Sequence, residues 1–546
     1  MGFSSKILNN SVGALLAQQA AIATTSNNIA NVNTPGYSRR TLDFQARGGS
    51  VNGGTISVGN GVDIGKVQRV VDTFVDKLLR QAMGDKAGAD IENDFYNRVQ
   101  ALYNLNESGA TIGSALTEFS TAINDLATSP ASIEMRTNVI ERGNDLVSAI
   151  KLSYGTVAGL QDEADNRVVT EVAEVNTIAV QIAKLNGQIR TRESTGNVAA
   201  DERDQREGLL QTLGKKISYT MLEDSGGQAN VYIGKGFALV SGTTARALAT
   251  TTTPSFASGP LPPSLSGKGL NYIVFNYGTE ASPSHIDLTQ AVQGGSGAIG
   301  ALLKLRGYND PTSTSAFSAN GTLVDVASRI EAVARTLLTS INTTYLGASD
   351  EDSVTAGFQP SSGDLNGNTP AVFGLFDFNY AGIKDINGDG LPGATDLNAT
   401  GIDNFSSILS FKISDPRTLA AALDANPAAG VKTFPSGDGR NMLALASTLK
   451  STSLTFTQGS FSMTGSFDQA YNEALTHVGS LKSRAETNSR VYSSNLLTVQ
   501  QERDAVSGVS LDEEFTALIK FQKSFQASAR MIKVADDLMT QIVQLI

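Results

Sequence analysis

Asn27-Asn28-Ile29-Ala30-Asn31-Val32-Asn33-Thr34-Pro35-Gly36-Tyr37-Ser38-Arg39-Arg40 ends a stretch, Ile7 to Ser38, that holds no charged residue. A long uncharged segment invites a membrane reading, but the composition opposes it. Gln, Asn, Ser and Thr run through it, and its longest strongly apolar run is Ala14-Leu15-Leu16-Ala17. A spanning helix needs about 20 predominantly apolar residues, and a secretory signal an apolar core of roughly 7–15. Leu8, Val12, Leu15, Gln19, Ile22, Ser26 and Ile29 instead step by four and three, a heptad seam. The segment reads as a one-faced helix with a neutral back, suited to packing among other helices. Proline then biases Thr34 away from helical angles, Gly36 permits a tight turn, and Tyr37 can bury its ring with its hydroxyl at a polar edge.

The far end of the chain answers it. Ser510-Leu511-Asp512-Glu513 has the spacing of a capping box. Leu511, Phe515, Leu518, Gln522, Phe525, Ala529, Ile532, Asp536, Met539, Val543 and Ile546 repeat at four-three spacing to the last residue. Two stripes at opposite termini predict that the ends pair as a coiled coil. For the first helix, the gain from burying its apolar residues and the cost of ordering its backbone are of similar size. The termini are therefore expected to order only when neighbours bury both faces.

At 546 residues the chain has room for several domains. It carries 42 basic and 53 acidic residues and no basic stripe, which argues against nucleic acid or an anionic membrane as a partner. Without cysteine there is no disulfide framework or thiolate site. His285 and His477 are the only histidines, so a histidine metal cluster or a Ser-His-Asp triad is a poor fit.

Along the chain, β-type residues at Thr41–Phe44, Thr55–Val58 and Val62–Ile64, with a Gly-rich turn after the first, predict a hairpin. A helical region follows from about Val70 to Ile217, with one rod-like run from Ser132 to Arg190. Short β runs such as Ala229–Ile233 and Asn271–Phe275 come next, then helix near 300–306 and 323–345. A Gly/Asp/Asn-rich stretch follows, and helix returns from about Asn441. The expected fold is multidomain α+β: a long helical coiled-coil stem formed by both termini, with β-rich domains inserted in the middle. The expected units are a terminal coiled coil (1–38 with 508–546) and a helical stem with a small hairpin (39–216 with 441–507). A β-rich domain with a helical segment (217–345) and an outer β/loop insert (346–440) complete it.

Asn27 to Tyr37 resembles the N-terminal signature of bacterial flagellar axial proteins, the rod, hook and hook-associated subunits. Ser507 to Glu514, with Phe521 to Ile532, is similar to their C-terminal signature. Ser38-Arg39, the charged run Asp201 to Arg206, and Gly297 to Arg306 look like the hook–filament junction branch of that family (FlgK). The resemblance implies a structural subunit rather than an enzyme, with no cofactor. It would be exported through the flagellar type III apparatus without a cleaved signal peptide, and would act outside the cell without membrane insertion. Implied partners are a ring of like subunits, the hook subunit on one side, a second hook-associated junction protein on the filament side, and an export chaperone. The implied assembly interface comprises Leu8, Val12, Leu15, Ile22, Ile29, Asn31, Pro35, Gly36, Tyr37, Leu511, Phe515, Leu518, Phe525, Ile532 and Met539. The alternatives are another axial subunit of hook type or a calcium-stabilised surface adhesin.

Three further motifs stand in the sequence. Gly295-Ser296-Gly297-Ala298-Ile299-Gly300 fits a dinucleotide fingerprint but lacks the βαβ context, so a turn into a helix is the better reading. Asp201, Asp204 and Glu207 read as a solvated helix face with local ion pairs. Asp385, Asn387 and Asp389, with Gly390 and Asp396, follow the spacing of a calcium loop, and an Asn/Asp/Gly turn is the competing reading.

Overall fold

The computed structural model describes residues 2–47, 59, 61–103, 111–196, 198–255, 264–277, 284–307, 321–346, 361–369, 374–378, 405–425 and 432–544. Helix α1, Gly2–Ala30, leads into a loop and then the antiparallel pair β1 (Arg40–Ala46) and β2 (Val62–Arg69), bulged between Leu42 and Phe44. The β run expected at Thr55–Val58 lies outside the described residues. Helix α2, Thr73–Ala101, is capped by the Asp72 carboxylate, which accepts the Phe74 and Val75 N–H groups. α3 is Ile112–Thr128. α4, Ile133–Glu193, runs unbroken for 61 residues, about 90 Å at the helical rise. Its thin apolar stripe (Val168, Val172, Val175, Ile178, Ile182, Ile189) is buried from end to end, because neighbours cover one face only. α5, Ala200–Lys216, doubles back along α4 and α2.

The β-rich middle consists of two small antiparallel sheets. One holds β3 (Tyr219–Glu223), β4 (Ala229–Ile233), β5 (Phe237–Ser241) and β6 (Thr244–Ala245). The other holds β7 (Ala249–Thr251), β8 (Tyr272–Asn276) and β9 (His285–Asp287). The short α6 (Thr289–Val292) and α7 (Ala298–Arg306) follow. α8 (Thr322–Thr336) continues through a π turn, Leu337–Ile341, into α9 (Asn342–Leu346). Of the outer insert, β10 (Ser362–Gly363) pairs with β13 (Ala422–Leu423), and β11 (Phe376–Phe378) with β12 (Leu409–Phe411). The chain returns through a helix at Arg440–Lys450, the hairpin β14 (Leu454–Gln458) and β15 (Phe461–Gly465), a return helix at Phe467–Ser507, and a C-terminal helix at Leu511–Gln544. The β14–β15 hairpin interrupts the helix expected after Asn441. Its residues alternate at period two around Gly459, and Phe456 meets the Phe467 ring at 5.2 Å.

Asparagines fasten extended segments to the helices. Asn176 donates to the Leu248 carbonyl (2.8 Å) and accepts the Leu248 N–H (2.7 Å). Asn186 does the same for Ala229, and Asn342 for Phe376. Each side-chain amide stands in for a neighbouring strand, so an exposed sheet edge is satisfied by a helix. Arg136, fully buried, donates to the carbonyls of Pro130 and Leu419 and so ties the insert to α4.

Candidate functional site

α1 and the C-terminal helix pack antiparallel, with Asn28 near the end of one against Glu514 in the first turn of the other. α1 buries small and polar residues in this contact: Ser11, Ala17, Ala21, Thr25 and Asn28. The opposing residues, buried or half-buried, are Glu514, Leu518, Phe521, Phe525, Ser528, Ile532, Ala535 and Met539, again at four-three spacing. Leu518, Phe525, Ile532 and Met539 belong to the heptad read from the sequence. Leu511 and Phe515 are 41% and 49% exposed, and Gln522, Ala529 and Asp536 face outward. On α1, Leu8, Leu15, Ile22 and Ile29 are half-buried, whereas Val12 is 40% exposed and Gln19 and Ser26 face solvent. The expected seam is therefore rotated. Small side chains point at the partner and let the helices approach, and the large ones straddle the contact.

The loop after α1 is folded around Asn28. Its Oδ1 accepts the Arg40 N–H (3.0 Å) and the Tyr37 hydroxyl (2.8 Å). Its Nδ2 donates to the Arg40 carbonyl (2.9 Å) and to Glu514 Oε2 (3.0 Å). Asn31 donates back to the Asn27 carbonyl (2.9 Å) and accepts from Thr34, which closes the helix end. Pro35 and Gly36 lie at the exposed tip, with Gly36 at φ 80° in open space. Tyr37 is buried, with the Arg40 guanidinium 4.9 Å from its ring centroid. Burial, more than the nearby charges, pushes its hydroxyl pKa up. The expected capping box is replaced by contacts to the other end of the same chain: Glu513 pairs with Arg39 (3.0 Å), and Glu514 Oε1 accepts from Arg39 Nε (2.8 Å).

Arg39 and Arg40 connect this end to the stem. The Arg39 N–H donates to the Ser507 carbonyl, and the Arg39 carbonyl accepts the Val70 N–H. Arg40 reaches Asp201 (2.5 Å) and Asp204 (3.4 Å) on α5, and Arg69 also donates to Asp204 (2.8 Å). Arg80 pairs with Glu207 through two 2.8 Å bonds. The run read as a solvated face thus docks α5 onto the hairpin and α2: Asp204 and Glu207 are largely covered, and only Asp201 stays exposed. Their partners lie more than a hundred positions away, which local spacing cannot register. The Phe44 and Phe521 rings sit 6.3 Å apart, and Asn10 donates to the Gly59 carbonyl, so the hairpin lies along both terminal helices. A cleft of about 590 Å³ opens between the Asn31–Tyr37 loop and the joint of the return and C-terminal helices at 503–513. Arg503 at its edge donates to the Tyr37 carbonyl.

The glycine-rich run at 295–300 is a turn into α7. Gly297 N–H donates to the Gly84 carbonyl of α2, which closes the space a phosphate would take. Asp364 accepts the N–H groups of Asn366 and Asn368 in a tight turn. Asp385, Asn387, Asp389 and Asp396 lie outside the described residues. Among the described residues no helix is long and apolar enough to cross a membrane.

The two ends and the middle find their relatives separately. Residues 8–37 match a family model described as flagella basal body rod protein. Residues 500–545 match flagellar basal body rod FlgEFG protein C-terminal, and 97–354 match flagellar hook-associated protein FlgK helical domain. Paired terminal helices around such a middle define a bacterial flagellar axial protein. The chain is 26% identical to flagellar hook-associated protein 1 of Salmonella typhimurium over 99% of its length and 100% of the relative's. To the protein of that name in Bacillus subtilis it is 23% identical, over 97% and 96%. The flagellar hook junction protein FlgK from Burkholderia pseudomallei shares its fold, with a TM-score of 0.58, 15% identity, and coverage of 79% of this chain and 100% of that one. Over nearly its whole length the chain is thus similar to flagellar hook-associated protein 1 (FlgK), a structural flagellar protein.

Proposed function

We infer that this chain is a structural subunit of the bacterial flagellum, seated at the junction between hook and filament. The observation that carries the reading is two exposed apolar groups on the C-terminal helix, one on each flank of the contact between the terminal helices. Leu511, Phe515, Ile519, Met531, Val534 and Leu538 are 41–58% exposed, and on α1 Val12 and Leu16 are 40% and 52% exposed. Apolar groups exposed on two sides of the C-terminal helix, beside an α1 that carries no charge from Ile7 onward, are surfaces to be covered. Their occupants are the corresponding helices of neighbouring copies, completed by the hook subunit below and a second hook-associated protein above. Leu8, Leu15, Ile22 and Ile29 deepen their half-burial in that lattice, and the Asn31-Pro35-Gly36-Tyr37 loop is the joint at its rim. Before assembly the same helices cover only one face of each other and open more readily than the stem, which suits passage through the type III export apparatus, with a chaperone holding the exposed apolar groups until release to the outside.

Phe515→Ser with Leu538→Ser tests the covering. Each is half-exposed, so the purified monomer should keep its stability to within about 0.5 kcal/mol per site. Self-association at high concentration, followed by sedimentation, should be lost. A double variant that assembles like the parent removes the exposed apolar groups from the account.

A further inference from the structure

Glu514 lies in the phase of the contact between the terminal helices, 2% exposed, at a position where the heptad would place an apolar side chain. Its two oxygens are both taken: Oε2 by Asn28 and Oε1 by Arg39. Asn28, 1% exposed, has all four of its hydrogen-bonding positions filled by Glu514, Tyr37 and both backbone groups of Arg40. The rest of the contact on α1 is shape-poor, with Ser11, Ala17, Ala21 and Thr25 offering no large knob to resist sliding. Opposite them Phe521 and Phe525 recur at similar spacing. A slip of one heptad would bring Phe521 level with Asn28 and cost little along the remaining seam. It would leave the Asn28 amide and the Arg39 guanidinium facing a ring in a closed site, which is expensive.

We propose that Asn28 and Glu514 form a register lock. They allow one alignment of the two chain ends and, through Arg39 and Arg40, aim the paired helices relative to the stem. A polar residue within an apolar seam specifies alignment in coiled coils by the same penalty on wrong pairings. The lock is intramolecular and holds whichever neighbours the helices later meet, so it can fail while the junction role stands.

The chain has no cysteine, so engineered pairs report alignment cleanly. Counting from Asn28–Glu514 along antiparallel helices brings Thr25 level with Ala517, and a one-heptad slip brings it level with Ser524. On mild oxidation of the purified chain, Thr25→Cys with Ala517→Cys should close and Thr25→Cys with Ser524→Cys should not. Adding Glu514→Ala should shift the ratio of the two crosslinks toward the slipped pair by about tenfold or more. An unchanged ratio overturns the proposal. A rescue covers the case in which that variant loses the helices altogether. Asn28→Asp sets two carboxylates together and should lower amide protection across 11–28 by about tenfold or more. Glu514→Gln added to it supplies a donor and should recover most of that loss. Losses that simply add in the double variant count against the lock.

Discussion

Asn28, Asn176, Asn186 and Asn342 show how much of this architecture rests on single amides. A primary amide holds an N–H donor beside its C=O acceptor, which matches the C=O and N–H that one strand residue presents on the same edge, and so it can end a strand edge from a helix. Carboxylates behave differently where they are buried. Asp76, 7% exposed on α2, has its pKa pushed up to about 6, chiefly by burial and then by Glu207, against the pull of Arg80, Arg503 and Arg69. Its folded pKa lies above the unfolded value of 3.8. The folded chain therefore holds the extra proton between those values, and stability from this group, complete below the lower one, is lost as pH rises through the upper one. Asp76→Asn should gain stability relative to the parent between about pH 4 and 7, by about 2 kcal/mol. Urea unfolding at both pH values measures it, and an equal difference at the two would remove Asp76 as the titrating group.

At the scale of elements, close approach decides what periodicity leaves open. α1 has two candidate faces, one of larger apolar residues and one of Ser, Ala and Thr. The partner helix takes the second, because the backbones come nearest there and contact is gained along the whole length. The crossing of α2 and α5 uses the same device. A Cβ on Gly84 would stand 2.6 Å from the Gly214 carbonyl, and Gly297 donates to Gly84 from the turn before α7. Gly84→Val should push these elements apart and destabilise the chain by about 1–3 kcal/mol. The expected signature is a lower urea midpoint at an unchanged slope. An unaltered midpoint would show that the crossing tolerates more room than its geometry allows.

Across the whole molecule, the chain leaves through α1, α2 and α4 and returns through the helix at Phe467–Ser507, with the sheets inserted between. The return helix packs along α2, and one buried cluster extends from Phe95 to Ala485. The terminal helices join this body chiefly through the hairpin and the Arg39–Arg40 bridges. Removal of residues 511–546 should therefore leave the stem's cooperative thermal unfolding close to that of the full chain. A bacterium carrying that deletion should still build hooks but release filament subunits into the medium. Filaments retained on such cells would contradict the junction role, and a collapsed stem transition would contradict the division between ends and body.

Much of this was legible in the residues themselves. Periodicity, caps and turn residues located the long helix from Ser132, the strands at Ala229 and Tyr272, and the stop at Thr34-Pro35-Gly36. The two terminal motifs pointed to the axial family. These are local properties, encoded within a few turns of chain. Which side of each terminal helix turns inward, why Glu514 is buried, and where Asp204 and Glu207 find their arginines were decided only by the tertiary structure. Asn28 and Glu514 stand 486 positions apart. Nothing within a helical turn of either records the other, because the free energy of that pair arises only once folding has excluded water from between them.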